Sequence, residues 1–74
     1  MSTHMFPLEQ YMVAVASAAS TYTDWRYGQI LFNVLHDGWP DIANSIRGEP
    51  GLDPFYFDKG SPVISNFFKY LSGL

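Results

Sequence analysis

Arg26-Tyr27-Gly28-Gln29-Ile30-Leu31-Phe32-Asn33-Val34-Leu35 is the stretch on which the fold turns. Read at 3.6 residues per turn, Trp25, Gly28, Leu31, Phe32 and Leu35 share one face, and Ile30 and Val34 widen it. Arg26, Gln29 and Asn33 fall together as the remaining polar stripe. A helix this apolar belongs in the centre of a domain. Thr21 and Asp24 stand in the carboxylic variant of a capping box, which predicts that the helix starts there. Gly38 is expected to stop it in the left-handed conformation. Gly28 inside the pattern costs close to 1 kcal/mol against Ala, so close packing must require its missing side chain. The alanine surface of a preceding helix is the expected neighbour, and a notch for a partner is the alternative.

Upstream, Pro7 suits a first helical position, and Leu8, Tyr11, Met12, Val15, Ala19 and Tyr22 follow at three- and four-residue spacing. A helix is expected over residues 7–20, with the alanines permitting a close neighbour; residues 1–6, His4 among them, are expected to be flexible. The apolar run from Met12 to Ala19 lacks the cationic flank of a signal peptide, carries Glu9 in its place, and is too short to span a bilayer. Downstream, Pro40 opens a third helix of about two turns that Gly48 ends, with Asp41 at the favoured pole of its dipole and Arg47 at the other. A loop from Glu49 to Gly60 follows. Ser61 and Pro62 then read as N-cap and N1 of a last helix that runs to Gly73. The best strand candidate, Phe55–Phe57, is too short to found a sheet. The expectation is one all-α domain over residues 1–74, with Trp25, Leu31, Phe32, Leu35, Ile46, Phe67 and Leu71 in its core.

Composition narrows the function. Thirteen aromatic residues stand beside eleven charged ones in 74, with no cysteine and a net charge of -3. A chain this short holds a marginal core, and large rings supply the apolar area it needs. Without cysteine there is neither a disulfide framework nor a thiolate metal site, and a reducing cytoplasm is the expected compartment. Arg26, Arg47, Lys59 and Lys69 are scattered singly, whereas backbone phosphate contacts need clustered cations, so no nucleic-acid partner is expected.

Catalytic and metal chemistry find little to stand on. His36 lies at a helix end, and its neighbour Asp37 points elsewhere on a helix, with no third ligand spaced to join them. Ser61 is accounted for by capping. No cofactor, metal or catalytic residue is therefore expected. Two patches invite a partner instead. In the polar stripe, Arg26, Gln29 and Asn33 offer donors and acceptors; the competing reading is that they tie down the 49–60 loop, with Arg26 reaching Asp53 or Asp58. In the loop, Asp53-Pro54 reads as N-cap and N1 of a single helical turn that lifts Phe55 and Tyr56. Leu52 and Phe55 suit plugs for the bundle's open end. Tyr56 and Phe57, with Trp39 as another protruding ring, suit interface anchors.

Together these patches carry a resemblance. R-x-G-Q-x-x-F-N-x-L over residues 26–35, then P-D-I-A-x-x-I-R-G over 40–48 and L-D-P-F-Y over 52–56, resemble small uncharacterised proteins of bacteriophages and related mobile elements. The resemblance spans roughly residues 24–71, leaves the first helix outside, and departs at Pro50-Gly51, which reads as a local insertion. It implies a genetic context and, with it, the host cytoplasm; it implies no activity. The resulting expectation is a non-catalytic protein-interaction module, a phage-encoded modulator of a host protein. The alternative is a self-associating subunit of a small homo-oligomer. No membrane partner is expected.

Overall fold

The computed structural model describes residues 6–74; His4 lies outside the described residues. Four helices and no strand are present among them: α1, Leu8–Thr21; α2, Tyr27–Gly38; α3, Pro40–Ile46; and α4, Pro62–Ser72. The fold is all-α. α1 and α2 form a hairpin, and α3 folds back on α2. The core is a single cluster comprising Tyr11 and Val15 from α1, Ile30, Leu31, Phe32 and Leu35 from α2, Ala43 and Ile46 from α3, and Ile64, Phe67 and Leu71 from α4. Every helix places its 3.6-period stripe against that cluster, and α2 contributes most to it.

α2 begins later than the capping box implies. Thr21 is the last residue of α1, and its hydroxyl donates to the carbonyl of Ser17 at 3.1 Å. Asp24 is exposed in the connection, and Trp25, expected in the core, is half-buried against its edge. There it stacks on Tyr22, with ring centroids 4.0 Å apart and planes at 9°. The other six expected core residues are buried. On α1, Met12 faces out and the buried pair is Tyr11 and Val15; Tyr22, just past the helix end, is also exposed.

α2 finds its N-terminal partners far along the chain. The first amides of any helix have no partner within it. Here the N–H of Tyr27 donates to Asp58 Oδ1 at 3.2 Å and that of Gly28 to the Phe57 carbonyl at 2.9 Å. Gln29 Oε1 folds back onto the Arg26 N–H at 3.4 Å. The carboxylate of Asp58 also meets the positive pole of the dipole. A loop some thirty residues downstream therefore does what a local box was expected to do.

The remaining termini follow the sequence more closely. Ser61 Oγ accepts from the Val63 N–H at 3.2 Å, with Pro62 opening α4. Gly48, with φ 75°, reverses the chain after α3. Gly38 does not serve as a left-handed stop: it is the last residue of α2, and the turn is made at Trp39, which caps α2 and leads into Pro40. Phe6, expected to be flexible, packs at 5.5 Å from Tyr11 and 5.2 Å from Trp39.

Candidate functional site

The loop from Glu49 to Gly60 is built from three successive turns. Leu52 and Asp53 N–H groups donate to the Glu49 carbonyl, Phe57 N–H to Pro54, and Ser61 N–H to Asp58. Asp53 organises the first junction: its Oδ1 accepts from the Phe55 N–H at 3.1 Å and its Oδ2 from the Gly48 N–H at 2.7 Å. Pro54 follows and is fully buried. Asp53-Pro54 thus starts a turn as expected. It is a reverse turn closed by the Phe57 N–H on the Pro54 carbonyl, in place of the helical turn read from the sequence, and Phe55-Tyr56-Phe57 emerges from it.

Two contacts fix that turn to α2. A Cβ on Gly28 would run into the carbonyls of Pro54 and Phe57, so the loop backbone lies directly on the glycine. The close neighbour of Gly28 is this loop, where the alanines of α1 were expected. Arg26 supplies the second contact. It reaches neither Asp53 nor Asp58; its Nε and Nη2 both donate to the Phe55 carbonyl at 3.3 Å. Both acids are engaged with backbone amides, and the guanidinium fork takes the carbonyl of the turn as its acceptor. The same guanidinium sits 6.0 Å from the ring centroids of both Phe55 and Tyr56.

The rings of the loop divide by exposure. Leu52 and Phe55 pack against the core, and Phe55 meets Phe32 edge-to-face at 6.0 Å. Tyr56 is 74% exposed and Phe57 39% exposed. Tyr56 is nonetheless held, with its ring edge-to-face on Phe55 at 4.9 Å. A cavity of about 330 Å³ opens beside it, lined by Phe32, Asn33, Arg47, Asp53, Phe55 and Tyr56. Arg47 covers the Phe32 ring at 5.5 Å, and Lys59 covers Tyr27 at 5.0 Å.

The six residues singled out from the sequence do not form one patch. Arg26, Asn33, Tyr56 and Phe57 belong to the α2–loop side, although Arg26 precedes the helix as its N-cap residue. Gln29 is half-buried and engaged with the Arg26 N–H. Trp39 does not protrude: it is half-buried against the core beside Phe6 and Tyr11, away from the loop, because the α2–α3 turn folds it inward. The Tyr22–Trp25 stack was missed. Two aromatics three residues apart before a helix were its signal, but placing Trp25 within α2 hid it.

The buried phenols complete the electrostatics. Tyr11 donates to the Leu31 carbonyl at 2.6 Å, and burial, with a smaller contribution from the charge of Tyr27, pushes its pKa far above that of a free tyrosine. Burial also raises that of Tyr27. Among the described residues no three His, Asp or Glu side chains gather as metal ligands, and no helix is long and apolar enough to cross a membrane. Compared with known protein families, curated proteins and solved structures, the chain matches none.

Proposed function

We propose that this domain is a non-catalytic protein-interaction module whose docking element is the turn bearing Tyr56 and Phe57. The observation that carries the reading is an exposed tyrosine on a pinned backbone. An exposed ring on a loose loop loses side-chain and backbone entropy on binding; one already held by Phe55, Arg26 and Gly28 loses much less. Tyrosines in such settings dominate interface energetics. The sequence resemblance adds a context, that of a phage-encoded modulator acting on a host protein.

The test compares the parent with a Tyr56→Ser/Phe57→Ser double variant. Both are used to capture proteins from the native host, and both are examined by analytical ultracentrifugation. The reading expects a host protein retained by the parent and lost by the double variant, with both forms monomeric. A parent that is oligomeric and becomes monomeric in the double variant would replace the host partner by a second copy of this chain. Identical capture and identical mass in the two forms would end the proposal.

A further inference from the structure

A second surface lies elsewhere in the fold. Between α1 and α2 runs an open groove of about 510 Å³. Ala14, Ser17 and Ala18 line α1's side of it, the stacked Tyr22 and Trp25 line it at the connection, and Asn33, Val34 and Asp37 line α2's side. Tyr22 and Trp25 belong to the α1–α2 connection, and Asp37 to the last turn of α2. At 1.5 Å rise per residue, the carboxylate lies about 15 Å along the helix from the aromatic end.

Asp37 is misplaced for its own helix. A carboxylate at a C-terminus meets the negative pole of the dipole, where a cation is favoured. Asp53 and Asp58 are engaged by backbone amides, and Asp41 sits favourably in the first turn of α3. Asp37 has no such role among the described residues, and no lysine or arginine lines the groove. Three of the four cations are committed elsewhere: Arg26 to the Phe55 carbonyl, Arg47 over Phe32 and Lys59 over Tyr27. The groove therefore has an aromatic end, small residues along α1 that admit close approach, and an uncompensated negative end.

We infer that this groove receives an amphipathic helix of a protein partner, with an apolar side chain against Tyr22 and Trp25 and a basic side chain at Asp37 and Asn33. Helices dock in grooves by such spaced anchors, and charge complementarity fixes the direction in which this one lies. The groove is open along its length, which suits a partner's helix better than a small molecule, since ligand pockets enclose most of their occupant. The inference stands apart from the Tyr56 turn and holds whether or not that turn docks anything.

The probe is an alanine-rich helical peptide with a leucine at one end of its apolar face and an arginine about eleven residues further on, about three turns away on the same face. Binding is read from amide shifts of the isotope-labelled domain. Shifts are expected at Ala18, Trp25 and Asp37. A peptide with citrulline for arginine should bind about two- to fivefold more weakly, as for an exposed ion pair, and free arginine should produce no comparable shifts. Asp37→Asn should abolish the preference for arginine over citrulline while raising the melting temperature, because it relieves the unfavourable dipole contact. Asp41→Asn, outside the groove, should leave binding unchanged. Shifts centred on residues 54–57, equal affinity for the two peptides, or an Asp37→Asn variant that still prefers arginine would each overturn the inference. An absence of shifts with every peptide would do so too.

Discussion

At the scale of single residues, Gly28 and Tyr11 hold positions where one atom decides. Gly28 would ordinarily be improved by alanine, which gains about 1 kcal/mol in a helix. Here the added methyl would have to displace the carbonyls of Pro54 and Phe57, and backbone cannot swing aside as a flexible side chain does. Moving the turn also breaks the Gly28 N–H bond to Phe57. Gly28→Ala is therefore expected to destabilise by about 1–3 kcal/mol net, measured by chemical denaturation, against the propensity trend. A more stable variant would show that the turn is not seated on the glycine. Tyr11 sets an alkaline limit. Its folded pKa is raised above the unfolded value of 10.0 by burial, so below that value both states hold the proton and stability is unaffected. Above it the unfolded chain releases a proton that the native state retains, and stability falls as pH rises. Tyr11→Phe should flatten this alkaline decline, while losing about 1 kcal/mol at neutral pH with the hydrogen bond to Leu31. Tyr27, also raised, leaves a residual slope.

At the scale of elements, α2 depends on its loop and the loop on α2. The guanidinium of Arg26 holds the Phe55 carbonyl, and the loop returns a carbonyl and a carboxylate to the first amides of the helix. Arg26→Ala should release the turn before it affects the rest of the domain. Hydrogen exchange at Gly28 and Phe57 is expected to quicken, with core amides of Leu31 and Leu35 protected nearly as before, and with a stability loss of about 1 kcal/mol for a half-exposed side chain. Unchanged exchange at Gly28 would mean the glycine seat alone suffices. The same mutual dependence explains what could be read in advance. Pro40, Ser61-Pro62 and Gly48 act on their nearest neighbours, so their helix boundaries were legible. The α2 start was not, because its cap comes from Asp58, beyond any local window. Asp53-Pro54 was legible as a turn, since Asp53 bonds two residues ahead, but its other bond to Gly48 was not. The exposure of Tyr56 and the burial of Trp39 looked alike in sequence. What separates them is that the α2–α3 turn folds Trp39 against the core, while in the Pro54 turn Phe55 takes the inward place and leaves Tyr56 outside.

At the scale of the whole molecule, a short chain has little stability to lose, and its rings must be sorted between core and surface. Phe32 lies on the core side: it is buried, it meets Phe55, and Arg47 covers it. Phe32→Ala removes a large buried side chain and should cost about 3–5 kcal/mol, a large share of what holds such a domain together. Tyr56 and Phe57 lie on the other side. Their side chains are exposed, and what they give the fold is chiefly backbone: the Phe57 N–H to Pro54 and the Phe57 carbonyl to Gly28. Serine keeps both backbone groups. The double variant Tyr56→Ser/Phe57→Ser should therefore unfold in a single cooperative transition, with a midpoint several degrees below the parent's. Its losses in the fold are the edge contact of Tyr56 with Phe55, worth about 0.5–1.5 kcal/mol, the Arg26 guanidinium's contact with the Tyr56 ring, and the covered part of Phe57. Thermal melts followed by circular dichroism test the contrast, with Phe32→Ala strongly destabilised and the double variant only mildly so. If the double variant melts without cooperativity, the two rings plug the end of the bundle, and the turn is part of the core instead of a surface offered to a partner.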